Sequence, residues 1–169
     1  MRYALQRRLA LKSLENNMSK KLVLLSIGSN IERDKNIALA KKYLSEIFPD
    51  IIFSSTYITE DTSHHKQEFY NLAAKFTTEE NLETLIKQSH QLEALLGRVR
   101  NPNDKNIPRT IDIDVCYYDN TTLDKNLPYF KYLIDPLSEI APDFIDSETG
   151  LLFKQLQKQC QDTHAIQRK

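Results

Sequence analysis

The chain reads as an α+β protein, a ferredoxin-like β-α-β-β-α-β unit with an antiparallel sheet, helices on one face and a C-terminal extension. Three observations predict this. Two segments space their apolar residues at the helical interval: Ile37, Ala40 and Leu44 in one, Leu82, Leu85, Ile86, Leu92, Leu95 and Leu96 in the other. Residues 51–59, 69–77 and 110–118 alternate instead, as strands do. Residues 22–27 form a mostly apolar run of strand length, the pattern of a strand covered on both faces. In chain order these pieces close as one sheet with both helices packed against it.

Each element has its own signals. Gly28-Ser-Asn30 ends the first strand, and Pro49-Asp50 stops the helix over 33–48. The second strand, 51–59, runs into a polar loop, 60–68, centred on His64 and His65. Thr78 is the expected N-cap of a helix over 79–96, with Glu79 and Glu80 well placed in its first turn. Gly97 is a suitable terminator for it. After the strand 110–118, Asp119-Asn120 marks a turn and 121–136 looks irregular. A helical turn at most is expected at 136–142, and an amphipathic piece at 151–156. The expected organisation is an N-terminal extension, 1–20, dispensable to the fold, a domain over 21–157, and a polar tail over 158–169.

Composition narrows the function classes. The 169 residues suffice for one domain with a real core, and an apolar fraction of 40 % with 27 % charged residues is ordinary for a soluble globular protein. Formal net charge is zero, so nothing draws the whole molecule to nucleic acid or to an anionic membrane. Cys116 and Cys160 form neither a disulfide framework nor a metal motif, which fits a reducing cytoplasm. No apolar run reaches the ~20 residues of a membrane span, and no signal-peptide core is present. A cytoplasmic protein that interacts with neither membrane nor nucleic acid is expected.

The chemistry concentrates in residues 98–115. A loop carrying Arg98, Arg100, Lys105 and Arg109 runs directly into a strand on which Asp112 and Asp114 alternate with Ile111, Ile113 and Val115. Residues two apart in a strand share a face, with Cα atoms about 6.6 Å apart. The two carboxylates can therefore converge on divalent cations. Mg²⁺ takes oxygen ligands and is held by one or two carboxylates together with substrate phosphates. Guanidinium groups neutralise phosphate bidentately. Together these features describe a place for a polyphosphate and its metal. On these residues alone a solvated acidic strand beside a solvated basic loop stays open. Neither a P-loop nor a dinucleotide fingerprint occurs. His64, His65 and His90 show no ligand spacing and read as exposed or packing histidines.

Four stretches carry a resemblance: Gly28-Ser-Asn30, Phe69-Tyr-Asn71, Glu93-x-x-x-Gly97-Arg98-x-Arg100 and Pro108-Arg-Thr-Ile-Asp-Ile-Asp114. Over residues 21–157 the sequence resembles the 6-hydroxymethyl-7,8-dihydropterin pyrophosphokinases, monomeric folate-pathway enzymes with a ferredoxin-like fold. The resemblance implies transfer of pyrophosphate from ATP to the pterin hydroxymethyl oxygen, with release of AMP. It implies that Asp112 and Asp114 bind two Mg²⁺ ions bridging the ATP phosphates. Asn71 would read the pterin edge with help from backbone near Thr59, and Phe69 and Tyr132 would stack on the pterin. Glu93, His90 and Val115 would lie on the nucleotide side, and Arg98, Arg100 and Arg109 would contact phosphates.

The sequence also departs from the family pattern. Tyr129 follows Pro128 where many members have histidine, and the segment to Pro136 is about five residues short, leaving Lys131 to replace a lost arginine. Glu60 and Asp61 stand where paired prolines are usual, and the basic loop lacks its usual tryptophan. Two alternatives accompany this reading. One is a family member that binds pterin or nucleotide but is catalytically weakened. The other is an RNA-binding module of the same strand order, against which the third strand's lack of a basic glycine motif argues.

Overall fold

A computed structural model describes residues 20–60, 68–99, 108–164 and 166–169. Arg100, Lys105, His64 and His65 lie outside the described residues, as do residues 1–19.

Strand β1 (Lys21–Ser29) is the axis of the fold. It pairs antiparallel with β4 (Phe69–Thr78) on one side and with β5 (Asp112–Tyr118) on the other. Beyond β5 lies β6 (Thr121–Thr122), and beyond β4 lies β3 (Tyr57–Thr59), followed by β7 (Ile166–Arg168). A short β2 (Ile52–Phe53) pairs with a separate part of β4. The expected antiparallel α+β sheet is present.

Both faces of β1 are buried, as its apolar run requires. Val23, Leu25 and Ile27 point to one side and pack with Ile37, Ala40 and Leu44 of α1 (Arg33–Ile47) and with Leu85 and Leu92 of α2 (Leu82–Leu95). Leu24 points the other way, into a second core. There it meets Leu133, Ile134 and Leu137 of α3 (Lys131–Ile140) and Phe153 and Leu156 of α4 (Phe153–Gln159). The two helices of the β-α-β-β-α-β unit share one face, and the C-terminal extension supplies the cover of the other. Among the described residues no helix is long and apolar enough to cross a membrane.

Four local expectations are corrected. The strand over 51–59 is broken in two at Ser54. Its N–H donates to Ala73 O at 2.9 Å while its Oγ accepts from Ala73 N at 2.9 Å, so a side chain substitutes for a ladder carbonyl. The second helix starts at Leu82 because Thr78 is still paired with Lys21 in the sheet. Asn81, an N-cap at least as good as threonine, takes the role through Thr84 N at 2.9 Å.

The third correction concerns residues expected to be irregular, where α3 forms with Pro136 inside it. Proline forfeits one intrahelical hydrogen bond. Burial of Leu133, Ile134, Pro136 and Leu137 outweighs that local preference. The last concerns the polar tail, whose end is the strand β7, paired with β3. Cys116 and Cys160 are both free thiols.

Candidate active site

Alternation along β5 places Ile111, Ile113 and Val115 in the helix-side core and Asp112 and Asp114 on the opposite face. On β4 the same parity brings Phe69, Asn71 and Ala73 to that face. The register joins them. Gly28 of β1 is the cross-strand partner of both Asn71 and Asp112, and Ser26 of both Ala73 and Asp114. Asn71 and Asp112 therefore lie on either side of a residue with no side chain. A Cβ on Gly28 would meet Asn71 Oδ1 at 3.2 Å, closer than ordinary packing. The glycine keeps the floor between the amide and the carboxylate clear.

The arginines reach this floor through the end of α2. Gly97 adopts φ +86°, its N–H donates to Ala94 O at 3.1 Å, and Arg98 N–H donates to Glu93 O at 2.9 Å. This is a Schellman motif, in which a left-handed residue reverses the chain after the last turn. It folds Arg98 back over the helix end. There its Nη1 donates to Glu93 Oε1 at 2.6 Å and to Ile111 O at 3.3 Å, and it pairs with Asp112. Glu93 Oε1 also accepts Ile113 N–H at 2.9 Å. Arg109 pairs with the other oxygen of Asp112.

Gly28-Ser-Asn30 secures the far end of the basic loop. Ser29 Oγ donates to Thr110 O at 2.6 Å, Asn30 N–H to Arg109 O at 3.0 Å, and Arg109 N–H to Asn30 Oδ1 at 2.5 Å. The motif is a bracket for the entry into β5. Sequence reasoning singled it out without seeing this use of Ser29 and Asn30.

The two aspartates differ in surroundings. Asp112 is buried and held by two guanidinium groups, whereas Asp114 is open to solvent on one side and makes no ion pair among the described residues. Asp114 nevertheless titrates high, its carboxyl pushed up to about 6. Desolvation by burial is the largest cause, the charges of Asp112 and Glu93 add to it, and Arg98 opposes it. Asp124, which sequence reasoning passed over, contributes a further negative charge to Asp114 and also to Tyr132. No local pattern marks Asp124; only the fold of the segment after β6 brings it near.

The donor set suits a cation that shares its ligands with phosphate. Among the described residues no group of three or more His, Cys, Asp or Glu is placed to enclose a metal. Two carboxylates on one strand face leave the remaining positions to water and phosphate oxygens, as Mg²⁺ prefers.

Asn71 is buried, and its Nδ2 donates to Thr59 Oγ1 at 2.8 Å. Phe69 is half-buried at the open end of the same strand. Tyr132 stands at the start of α3, its ring 5.5 Å from that of Phe130. Burial and the nearby Asp124 raise its hydroxyl to about 12, so it stays a neutral donor. Lys131 opens α3 beside it.

Two residues expected on the nucleotide side have buried or core-packed side chains. Glu93 is 1 % exposed and serves as the seat of Arg98. Val115 packs its side chain into the helix-side core, so only its backbone faces the strand ladder. His90 is exposed one turn before Glu93.

A sequence profile of the family described as 7,8-dihydro-6-hydroxymethylpterin-pyrophosphokinase (HPPK) matches residues 24–142. The chain belongs to the HPPK family. The matched segment contains the aspartates, the arginines, Asn71 and Tyr132. The chain is 32% identical over 145 residues to the folic acid synthesis protein FOL1 of Dictyostelium discoideum, a match covering 79% of this chain and 22% of that protein. It is 32% identical over 118 residues to a 2-amino-4-hydroxy-6-hydroxymethyldihydropteridine pyrophosphokinase of Helicobacter pylori, covering 65% and 72% respectively. The matches to FOL1 and to the folic acid synthesis protein of Pneumocystis carinii span about a fifth of those relatives, at 22% and 20% of their lengths. The fold is similar to that of Plasmodium falciparum HPPK-DHPS, with a TM-score of 0.59 at 12% identity, covering 83% of this chain and 42% of that one.

Proposed function

We propose that this HPPK-family chain transfers pyrophosphate from ATP to the hydroxymethyl group of 6-hydroxymethyl-7,8-dihydropterin, releasing AMP, in folate biosynthesis. The observation that carries the proposal is the row Asn71–Gly28–Asp112 across three strands. It sets an amide able to read a pterin edge beside a carboxylate flanked by two arginines. The hydroxymethyl oxygen attacks the β-phosphorus, the bond to the α-phosphate oxygen breaks, AMP leaves with that oxygen, and the hydroxyl proton is released.

Such transfers depend on positioning and charge neutralisation more than on covalent chemistry from the protein. Asn71 and the Thr59 backbone hold the pterin, with Phe69 and Tyr132 stacking against it. Asp112 and Asp114 would hold the Mg²⁺, taken as two ions, whose chemistry would be to neutralise charge on the phosphates. Arg98 and Arg109, which pair with Asp112 in the absence of ligand, would exchange that partner for phosphate oxygens when ATP binds. Glu93 keeps Arg98 aimed during the exchange. Arg100 and Lys131 add positive charge to the nucleotide, His90 lies on its side of the site, and Val115 contributes backbone. The protein acts as a monomer in the cytoplasm on two small molecules, without nucleic acid or membrane.

The test is AMP formation from Mg-ATP with and without 6-hydroxymethyl-7,8-dihydropterin. Pterin-dependent AMP that disappears in Asp112→Ala and Asp114→Ala supports the proposal. Pterin binding without AMP would instead favour the catalytically weakened family member.

A further inference from the structure

We infer that the C-terminal strand β7 is a positioning element for the pterin end of the site, acting through β3 on the Thr59–Asn71 hydrogen bond. The inference rests on the function proposed above. β7 lies outside the residues matched by the family profile, and none of the roles described so far uses it.

β3 has three residues and joins β4 on one side, with Tyr57 opposite Asn71 and Thr59 opposite Phe69. So short an edge strand would open readily. β7 pairs its other side, Tyr57 with Arg168, Ile58 with Gln167 and Thr59 with Ile166, and makes β3 an interior strand.

Side chains reinforce the pairing. Glu139 of α3 accepts from Ser55 N at 3.1 Å, Ser55 Oγ at 2.9 Å, Tyr57 OH at 2.9 Å and Arg168 Nη2 at 3.1 Å. Arg168 Nε donates to Ser55 Oγ at 2.7 Å, and Lys169 N–H to Thr56 O at 2.9 Å. Upstream, the Asp162 side chain is 4% exposed and accepts Lys131 N–H at 2.9 Å in the uncapped first turn of α3. The chain end is therefore tied both to the helix that carries Tyr132 and to the strand that carries Thr59.

These ties act on one end of the site. Thr59 Oγ1 fixes where the Asn71 amide stands, so a displaced β3 displaces the pterin-reading group. The acidic strand is remote from this effect. β4 and β1 intervene between β3 and β5, a span of about 14 Å at ordinary strand spacing.

Pterin affinity is measured by fluorescence titration with 6-hydroxymethyl-7,8-dihydropterin, and Mg-ATP affinity by calorimetry, on the full chain and on Arg168→Ala and Gln167→Pro. The expected result is pterin binding weakened roughly threefold to tenfold by loss of one or two hydrogen bonds, with Mg-ATP binding unchanged within about twofold. Arg168→Lys, which keeps a charge beside Glu139 but loses the fork to Ser55, should fall between. Unchanged pterin affinity in Arg168→Ala, or equal weakening for both ligands, overturns the inference. Should Gln167→Pro not fold, Arg168→Ala, an exposed side chain, decides alone. A native chain that binds no pterin would overturn the proposed function itself, and that is read before any variant is compared.

Discussion

Asn71 and Asp112 face each other across Gly28, each its cross-strand partner from an adjacent strand. In the proposed function, recognition of a flat polar ring and handling of a metal polyphosphate thus meet over a residue with no side chain.

Gly28→Ala tests this relationship. The new methyl would crowd Asn71 Oδ1 at 3.2 Å, and either the amide or β1 must yield. Overpacking of this kind costs about 1–3 kcal/mol. Pterin affinity should fall roughly tenfold, measured by fluorescence titration, while Mg-ATP affinity changes less. An unchanged pterin affinity would show that the floor needs no clearance.

The two aspartates should behave differently in stability when neutralised, although both substitutions should abolish activity. Asp112→Asn leaves Arg98 and Arg109 short of their shared partner. A fully buried broken pair costs about 3–5 kcal/mol; with Arg109 partly exposed, roughly 2 kcal/mol is expected. Asp114→Asn instead removes a charge that its neighbours disfavour, so stability at pH 7.5 should hold or rise by up to about 1 kcal/mol. Denaturant titrations of the two variants check the contrast.

Cation binding should depend on pH through Asp114. Its carboxyl titrates at about 6 in the fold, above its ordinary 3.8. Its contribution to stability is therefore full below pH 3.8 and is lost as pH rises through about 6. Mg²⁺ held as proposed would reverse that loss by pairing with the carboxylate, and a proton would compete for the same oxygen. Thermal denaturation with and without Mg²⁺ should show a larger stabilisation at pH 7.5 than at pH 5. Equal stabilisation at both would exclude Asp114 as a ligand.

Much of this site was legible in the sequence, for a simple geometric reason. Parity along a strand is fixed by chain chemistry, so Asp112 and Asp114 could be assigned one face, and Phe69 and Asn71 another shared face, before any fold was known. The helix stop at Gly97 was legible because a left-handed residue there favours glycine. Partners distant in sequence were not legible. Nothing local says that Arg98 reaches Asp112, that Asn30 brackets Arg109, or that Asp124 adds charge beside Asp114. The fold class was legible, but two of its local elements were not. Pro136 argued against a helix that burial nonetheless forms, and Ile166-Gln-Arg168 is too short and polar to announce a strand.

Acid should loosen the chain end. Burial pushes the Glu139 carboxyl up, but donors from Ser55 and Tyr57 and the charge of Arg168 outweigh it, leaving it below its ordinary 4.5. A depressed carboxyl contributes stability above its unfolded value that is lost as pH falls through its folded one. Amide exchange over Tyr57–Thr59 should accelerate, beyond the intrinsic pH effect, as pH drops below about 4.5 in native protein. In Glu139→Gln, that acid-induced acceleration should be absent.

The most direct test of the central claim follows the fate of labelled phosphates. ATP labelled in its β- and γ-phosphates is incubated with Mg²⁺, 6-hydroxymethyl-7,8-dihydropterin and the protein, and the products are separated. Attack at the β-phosphorus predicts both labels together on the pterin product and unlabelled AMP. The γ label alone on the pterin, with the β label left in ADP, would contradict the account.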